Sequence, residues 1–268
     1  MSVRVGLIGG GHMGEALVSG LLANGVAEAK DVTVSDIAQE RRDLLASRHG
    51  VSVVSEAAEA ARGAELLVLA VKPQEFSTVA DGLRSTLNGS QTVLTIMAGV
   101  PIAKVSAALR HEAVARAMPN AAASVGEAMT VWTATAAVSD TGREAVARLL
   151  GALGQAVYVD EERYLDMATA VSGSGPGFAF LYLEAFIDAA VNIGLRRELA
   201  EELAVQTLVG SAALARETGK HPAELRSMVT SPGGTTAAGL QVLEESGLRG
   251  AVIAAVEAAY ERAKELGN

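Results

Sequence analysis

The segment Val3-Arg-Val-Gly-Leu-Ile-Gly-Gly-Gly-His-Met-Gly14 places a glycine-rich turn directly behind a short apolar run. Gly9, Gly11 and Gly14 fit the spacing G-x-G-x-x-G. In that pattern the first glycine lets the chain turn sharply out of a strand, the second lets backbone N–H groups approach a pyrophosphate, and the third lets the following helix pack close on the sheet. That helix then aims its positive N-terminal end at the phosphates. A lone glycine fingerprint is weak. Here an apolar-periodic helix through Leu17, Leu21 and Leu22 follows it, and Asp36 closes a second strand about 20 residues further on. The segment is therefore read as a dinucleotide site rather than a plain glycine turn.

With 268 residues, half of them apolar, the chain exceeds the usual size of one domain and has ample material for a core. It contains no cysteine, so disulfides and thiolate metal ligands are unavailable, which fits a reducing cytoplasm. The run Val5–Ile8 is too short for a signal-peptide core, and charged or glycine residues interrupt every longer apolar stretch, so no membrane association is expected. A net charge of −9 without any basic run argues against nucleic-acid binding and leaves a small molecule as the expected partner. The four histidines, His12, His49, His111 and His221, show no ligand spacing, and no metal site is expected.

Up to about residue 160, β-rich runs alternate with helical patterns: Val3–Ile8, Val32–Ser35, Val51–Val54, Leu66–Val71, Thr92–Met97, Ala113–Met118, Met129–Thr133 and Ala156–Val159. This rhythm predicts an α/β domain with a mostly parallel, doubly wound sheet. Leu66–Val71 is apolar on both faces, as suits a central strand covered by helices above and below. Ligands of such sheets collect beyond the carboxyl ends of the strands. Beyond residue 160 the patterns are helical: Arg163–Ala170, Pro176–Ile193, Arg196–Glu217, Pro222–Met228, Thr235–Ser246 and Leu248–Leu266. The stretch Phe178-Ala-Phe-Leu-Tyr-Leu-Glu-Ala-Phe-Ile187 has too many apolar positions for one buried stripe and needs cover on several sides. A second copy of the chain is the expected cover. The division is placed as a dinucleotide-binding domain over 1–160 and a helical domain over 161–268.

Two loops rich in glycine, serine and threonine are expected in the helical half, Ala170-Val-Ser-Gly-Ser-Gly-Pro176 and Val229-Thr-Ser-Pro-Gly-Gly-Thr-Thr236. Each precedes a helix, so each is either a carboxylate cradle or an ordinary capped turn. Neither carries the lysine of a P-loop, and Ser172 stands where a serine-hydrolase elbow around Ser174 would need glycine.

Taken in order, Ile8-Gly-Gly-Gly-His-Met-Gly-Glu-Ala16, Ala70-Val-Lys-Pro73, Arg116-Ala-Met-Pro-Asn120, Ala170–Pro176 and Val229–Thr236 make the chain resemble pyrroline-5-carboxylate reductase from end to end. The resemblance implies an N-terminal Rossmann domain joined to a helical dimerisation domain, with rings of dimers as higher assemblies. It implies reduction of the cyclic imine 1-pyrroline-5-carboxylate to L-proline by NADPH or NADH, the last step of proline biosynthesis. Carried over residue by residue, Gly9, Gly11, His12, Met13 and Gly14 would hold the pyrophosphate. Ser35 and Asp36 would lie toward the ribose, Ala70, Val71, Lys72, Pro73, Ala98 and Gly99 would line the ribose and nicotinamide side, and Asn120 would sit near the carboxamide. Ser231, Gly233, Gly234, Thr235 and Thr236 would receive the substrate carboxylate. Thr236 would orient and polarise the ring nitrogen while the proton comes from solvent or from substrate already protonated, since an unperturbed alcohol is a poor general acid.

Asp36 favours NADH, because a carboxylate there accepts from ribose hydroxyls and repels a 2′-phosphate. Arg41 and Arg42 lie nearby in sequence and would reverse that if either paired with the phosphate. Among rivals, a β-hydroxyacid reductase would be expected to carry a catalytic lysine in the first long helix, and Pro176–Ile193 has none. A non-catalytic dinucleotide-binding module would not need the polar loops.

Overall fold

The computed structural model describes residues 3–267. In chain order its elements are β1 (Val5–Ile8), α1 (His12–Ala23), β2 (Val32–Ser35), α2 (Gln39–His49), β3 (Ser52–Val54), α3 (Ala57–Ala61), β4 (Leu66–Leu69), α4 (Phe76–Leu83), β5 (Thr92–Thr95), α5 (Ile102–Leu109), β6 (Val114–Met118), β7 (Ala128–Ala134), α6 (Asp140–Gly151), β8 (Gly154–Tyr158) and α7 (Arg163–Ala168). Then follow α8 (Gly175–Asn192), α9 (Arg197–Thr218), α10 (Pro222–Met228), α11 (Thr235–Glu245) and α12 (Leu248–Gly267). The chain divides into two compact units, Met1–Pro176 with Ala259–Asn268, and Gly177–Ala258. Among the described residues no helix is long and apolar enough to cross a membrane.

The first unit is built on one eight-stranded sheet in the order β3-β2-β1-β4-β5-β6-β7-β8. Successive side chains of a strand point to opposite faces, and β4 and β5 show it. Leu66, Val68 and Leu94 join an apolar cluster with Leu17, Leu21 and Leu149, whereas Leu67, Leu69 and Val93 join another with Phe76, Leu83 and Leu109. Both faces are therefore covered, which is why these strands read as unbroken apolar runs. Each fully buried leucine contributes about 1.5–3 kcal/mol. All the pairings are parallel except β6 with β7. Only a short 3-10 segment, Ala121–Val125, and its flanking turns connect those two strands, too little chain for the helical crossover that a parallel return needs.

Chain order places the reversal of winding between β1 and β4. Register puts Ser35, Ile8, Leu69, Thr95 and Arg116 in one row across five strands. β2, β1, β4 and β5 end at this row, while β6 runs on to Met118, so four chains leave the sheet at one level, at the edge where a ligand of such a sheet belongs.

The second unit, Gly177–Ala258, is helical throughout, and within it only Ala200 and Ala204 are buried. Phe180 and Leu181 on α8 are 64% and 67% exposed, and Val209, Val242 and Ile253 on α9, α11 and α12 are also open. The breadth of apolar surface expected from Phe178–Ile187 is present.

One expectation is corrected. Ala170–Pro176 is not a loop before a helix: Thr169–Gly173 forms a π-helical turn that leads from α7 into α8. Its i to i+5 bond runs from the Ser174 N–H to the Thr169 carbonyl at 2.8 Å, and the Thr169 and Ser172 hydroxyls donate to the carbonyls of Leu165 and Ala168. The serines and glycines that read as a turn are absorbed into a widened helix, a form that recurs at functional sites.

The glycines at the start of α1 separate packing from ligand access. A Cβ added at Gly14 would run into the Gly9 carbonyl oxygen, whereas one added at Gly11, at φ −66° and ψ −169°, meets nothing within 4 Å. Gly14→Ala is therefore expected to lower unfolding stability by about 1–3 kcal/mol through overpacking, and Gly11→Ala by less than about 1 kcal/mol. Urea unfolding of the two variants checks this, and equal midpoints would refute it.

Candidate active site

At the end of β1 the chain must turn away from the sheet at once, and Gly9 does so at φ +102°. A side chain there would lie 2.7 Å from the Ala70 carbonyl oxygen. The Gly9 N–H donates to the Ser35 carbonyl at 2.8 Å, and the Ala70 N–H donates to the Ile8 carbonyl at 2.8 Å, so the turn is tied to the strand on either side. Gly11 is the N-cap of α1 and offers no side-chain cap, which leaves the first-turn N–H groups facing the open side of the turn. Close packing at Gly9 and Gly14, open space at Gly11 and an uncapped helix start fit a dinucleotide pyrophosphate.

The residues expected at this edge take different positions. His12, Lys72 and Pro73 are exposed, Met13, Ala70, Val71 and Ala98 are half-buried, and the Ser35 side chain is buried, leaving its carbonyl to hold Gly9. Gly99 turns at φ +69° close against Leu266, where a Cβ would meet the Leu266 Cβ at 2.7 Å. The Asn120 amide is engaged within the protein, its Nδ2 donating to the Ser172 carbonyl at 3.0 Å and its Oδ1 accepting from the Ala122 N–H at 3.3 Å. Asn120 thereby joins the end of β6 to the π turn, and Met118 packs there too, since a Cβ at Gly173 would lie 3.1 Å from the Met118 Cε.

Two charged clusters back this edge, and sequence reasoning found neither. Behind the glycine turn, Glu15 is 16% exposed and pairs with Arg41 at 2.8 Å and Arg48 at 2.6 Å. The Arg41 guanidinium holds the Glu15 carboxyl below its ordinary value, outweighing the burial that acts against it. Beneath the π turn, the Arg116 side chain is 4% exposed and pairs with Glu162 at 2.8 Å and Asp166 at 3.0 Å. Glu162 Oε1 also accepts from the Ile102 N–H that begins α5, at 2.8 Å. A buried guanidinium without such partners would be strongly destabilising. Arg116 was legible as the one charge in an otherwise apolar strand, although its partners were not.

In the second unit, residues 229–234 connect α10 to α11, and Thr235 and Thr236 are the first two residues of α11. Gly233 takes φ +68°, and the Gly234 N–H donates to the Ser231 carbonyl at 3.0 Å. A Cβ on Gly234 would lie 2.5 Å from the rotatable Ser231 Oγ and 3.1 Å from the Ser231 carbonyl oxygen, so it is the left-handed Gly233 that most requires glycine. Gly234 is the N-cap of α11 and, like Gly11, supplies no side-chain cap. Ser231, Gly233, Thr235 and Thr236 are exposed and Gly234 is half-buried. The segment thus presents three exposed hydroxyls, on Ser231, Thr235 and Thr236, and an uncapped helix start, an arrangement suited to a carboxylate.

Residues 162–266 match the family described as pyrroline-5-carboxylate reductase dimerisation, and residues 4–99 match that described as NADP oxidoreductase coenzyme F420-dependent. A pyrroline-5-carboxylate reductase of Synechocystis is 42% identical over 268 residues, covering 100% of both chains. The solved pyrroline-5-carboxylate reductase of Coxiella burnetii superposes with a TM-score of 0.92 at 34% identity over 100% of both chains. The Plasmodium falciparum pyrroline carboxylate reductase, solved with NADP bound, gives 0.90 at 30% identity over 99% of this chain and 98% of that one. Related along its whole length to these proteins, the chain belongs to the pyrroline-5-carboxylate reductase family.

Proposed function

We propose that the chain reduces 1-pyrroline-5-carboxylate to L-proline with NADH or NADPH, as the last step of proline biosynthesis in the cytoplasm. The observation that carries this is end-to-end relatedness at 42% identity in a chain that holds both the glycine turn and the Val229–Thr236 segment. Residues 1–160 act as the dinucleotide-binding domain and 161–268 as the helical substrate-binding and dimerisation domain, a division supported by the family match over 162–266.

When bound, the nicotinamide supplies hydride to the C=N carbon. The protein's part is to bind, orient and polarise. The N–H groups at Gly11–Gly14 receive the pyrophosphate, with His12 and Met13 flanking it, and Ser35 and Asp36 stand toward the ribose. Ala70–Pro73 with Ala98 and Gly99 line the nicotinamide side. Asn120, with its amide engaged at Ser172 and Ala122, contributes by fixing the wall near the carboxamide. Ser231, Gly233, Gly234 and Thr235 hold the substrate carboxylate at the start of α11. The Thr236 hydroxyl bonds the ring nitrogen, orienting the C=N bond, and solvent or the protonated imine provides the proton.

Self-association is supported by the match to the dimerisation family and by the exposed apolar side chains of α8, α9, α11 and α12, which call for cover. The reading is a homodimer that interlocks through the helical domain and assembles further into rings.

Purified protein is expected to oxidise NADH or NADPH only when the imine is present; folded protein that leaves nicotinamide absorbance unchanged with either cofactor would end this reading. Thr236→Ala should lose about tenfold to a hundredfold in kcat/KM, the scale of one hydrogen bond to a polarised group, with dinucleotide affinity nearly unchanged. Unaltered turnover would remove Thr236 from the site. Light scattering at micromolar concentration should give at least twice the mass of one chain, and a fully active single-chain species would contradict the interlocked dimer.

A further inference from the structure

We propose that this chain selects NADH over NADPH, with Asp36 rejecting the 2′-phosphate and with Arg41 and Arg42 withheld from it. The proposal rests on the reductase reading above and deepens it. In sheets of this type the acid at the end of the second strand meets the ribose hydroxyls of a dinucleotide. Asp36 holds that place, one residue beyond β2, and its carboxylate is fixed from two sides. Oδ2 accepts from the Gly10 N–H at 2.7 Å and Oδ1 from the Ala38 N–H at 2.8 Å. A carboxylate has about four lone-pair sites, so capacity remains for hydroxyl donors. A 2′-phosphate brings no such donor and adds about 1.5–2 negative charges beside one already fixed.

The arginines that would offset this charge are committed elsewhere. Arg41, with its side chain 27% exposed, donates from Nε and Nη2 to the Gly10 carbonyl at 2.8 and 2.6 Å, and from Nη2 to Glu15. It braces the glycine turn from behind. Arg42 donates from Nη1 to the carbonyls of Asp36 and Ile37 at 2.6 and 3.0 Å, and from Nη2 to Gln39, closing the passage from β2 into α2. Either would have to abandon several hydrogen bonds to meet a phosphate. The Plasmodium falciparum relative was solved with NADP bound, so family membership alone does not exclude NADP and the preference rests on these residues.

The test is equilibrium titration of the full-length protein with NADH and NADPH in the absence of imine, read by nicotinamide fluorescence. NADH is expected to bind at least about tenfold more tightly. Asp36→Ser should narrow the gap, chiefly by strengthening NADPH. Asp36→Asn, which keeps an acceptor oxygen for the backbone while removing the charge, should narrow it as well if the serine variant folds poorly. Arg41→Gln and Arg42→Gln should change the two affinities by the same factor. Equal or tighter NADPH binding by the unaltered protein, or a selective loss of NADPH affinity in either arginine variant, would overturn the proposal. Binding of neither dinucleotide would instead remove the reductase reading, and this proposal with it.

Discussion

Parallel register governs this molecule. Because Ser35, Ile8, Leu69 and Thr95 lie in one row, β2, β1, β4 and β5 release their chains at the same height, with β6 ending two residues beyond Arg116 beside them. What the edge offers a ligand lies within the few residues that follow these strand ends. A slip of one residue in any strand would turn its apolar set to the wrong layer, so the two clusters that sandwich the sheet enforce the alignment that the edge needs. Packing and site geometry are thus one constraint.

The edge itself is a thin layer of small residues with charge behind it. Glycines and alanines at the strand ends keep the surface open but cannot hold it rigid, and polar groups one layer deeper do so. Arg41 ties the Gly10 carbonyl to Glu15, Asp36 ties the Gly10 N–H to the end of β2, and Asn120 ties β6 to the π turn. Arg116 with Glu162 and Asp166 anchors that turn from below. Held in this way, the site's backbone groups face a ligand already oriented, which lowers the ordering cost of binding.

Legibility in the sequence follows the range of the interaction. The strands and the glycine turn were readable because alternation and the 9, 11, 14 spacing are local signals; Val32–Ser35 matches to the residue. Leu66–Val71 proved two residues too long only because Ala70 and Val71 continue the apolar run beyond the strand end. Ala170–Pro176 misled because serine and glycine carry turn propensity, whereas the widened helix depends on hydroxyls bonding back to carbonyls four residues earlier. Arg116 lies 46 and 50 residues from its partners, and Arg41 lies 31 from Gly10. No spacing rule spans such gaps, so the roles of Asn120, Arg41 and Arg42 emerged only in three dimensions.

The near absence of an interior in Gly177–Ala258, where only two alanines are buried, bears on inheritance as well as on folding. Helices that must borrow their cover from another copy make each subunit a structural component of its neighbour. A defective chain whose helical unit still folds would enter mixed assemblies and occupy surfaces meant for sound ones. Lesions in the sheet unit that spare these helices would then interfere with a normal gene product made in the same cell, whereas lesions that destroy the helices would be silent beside it.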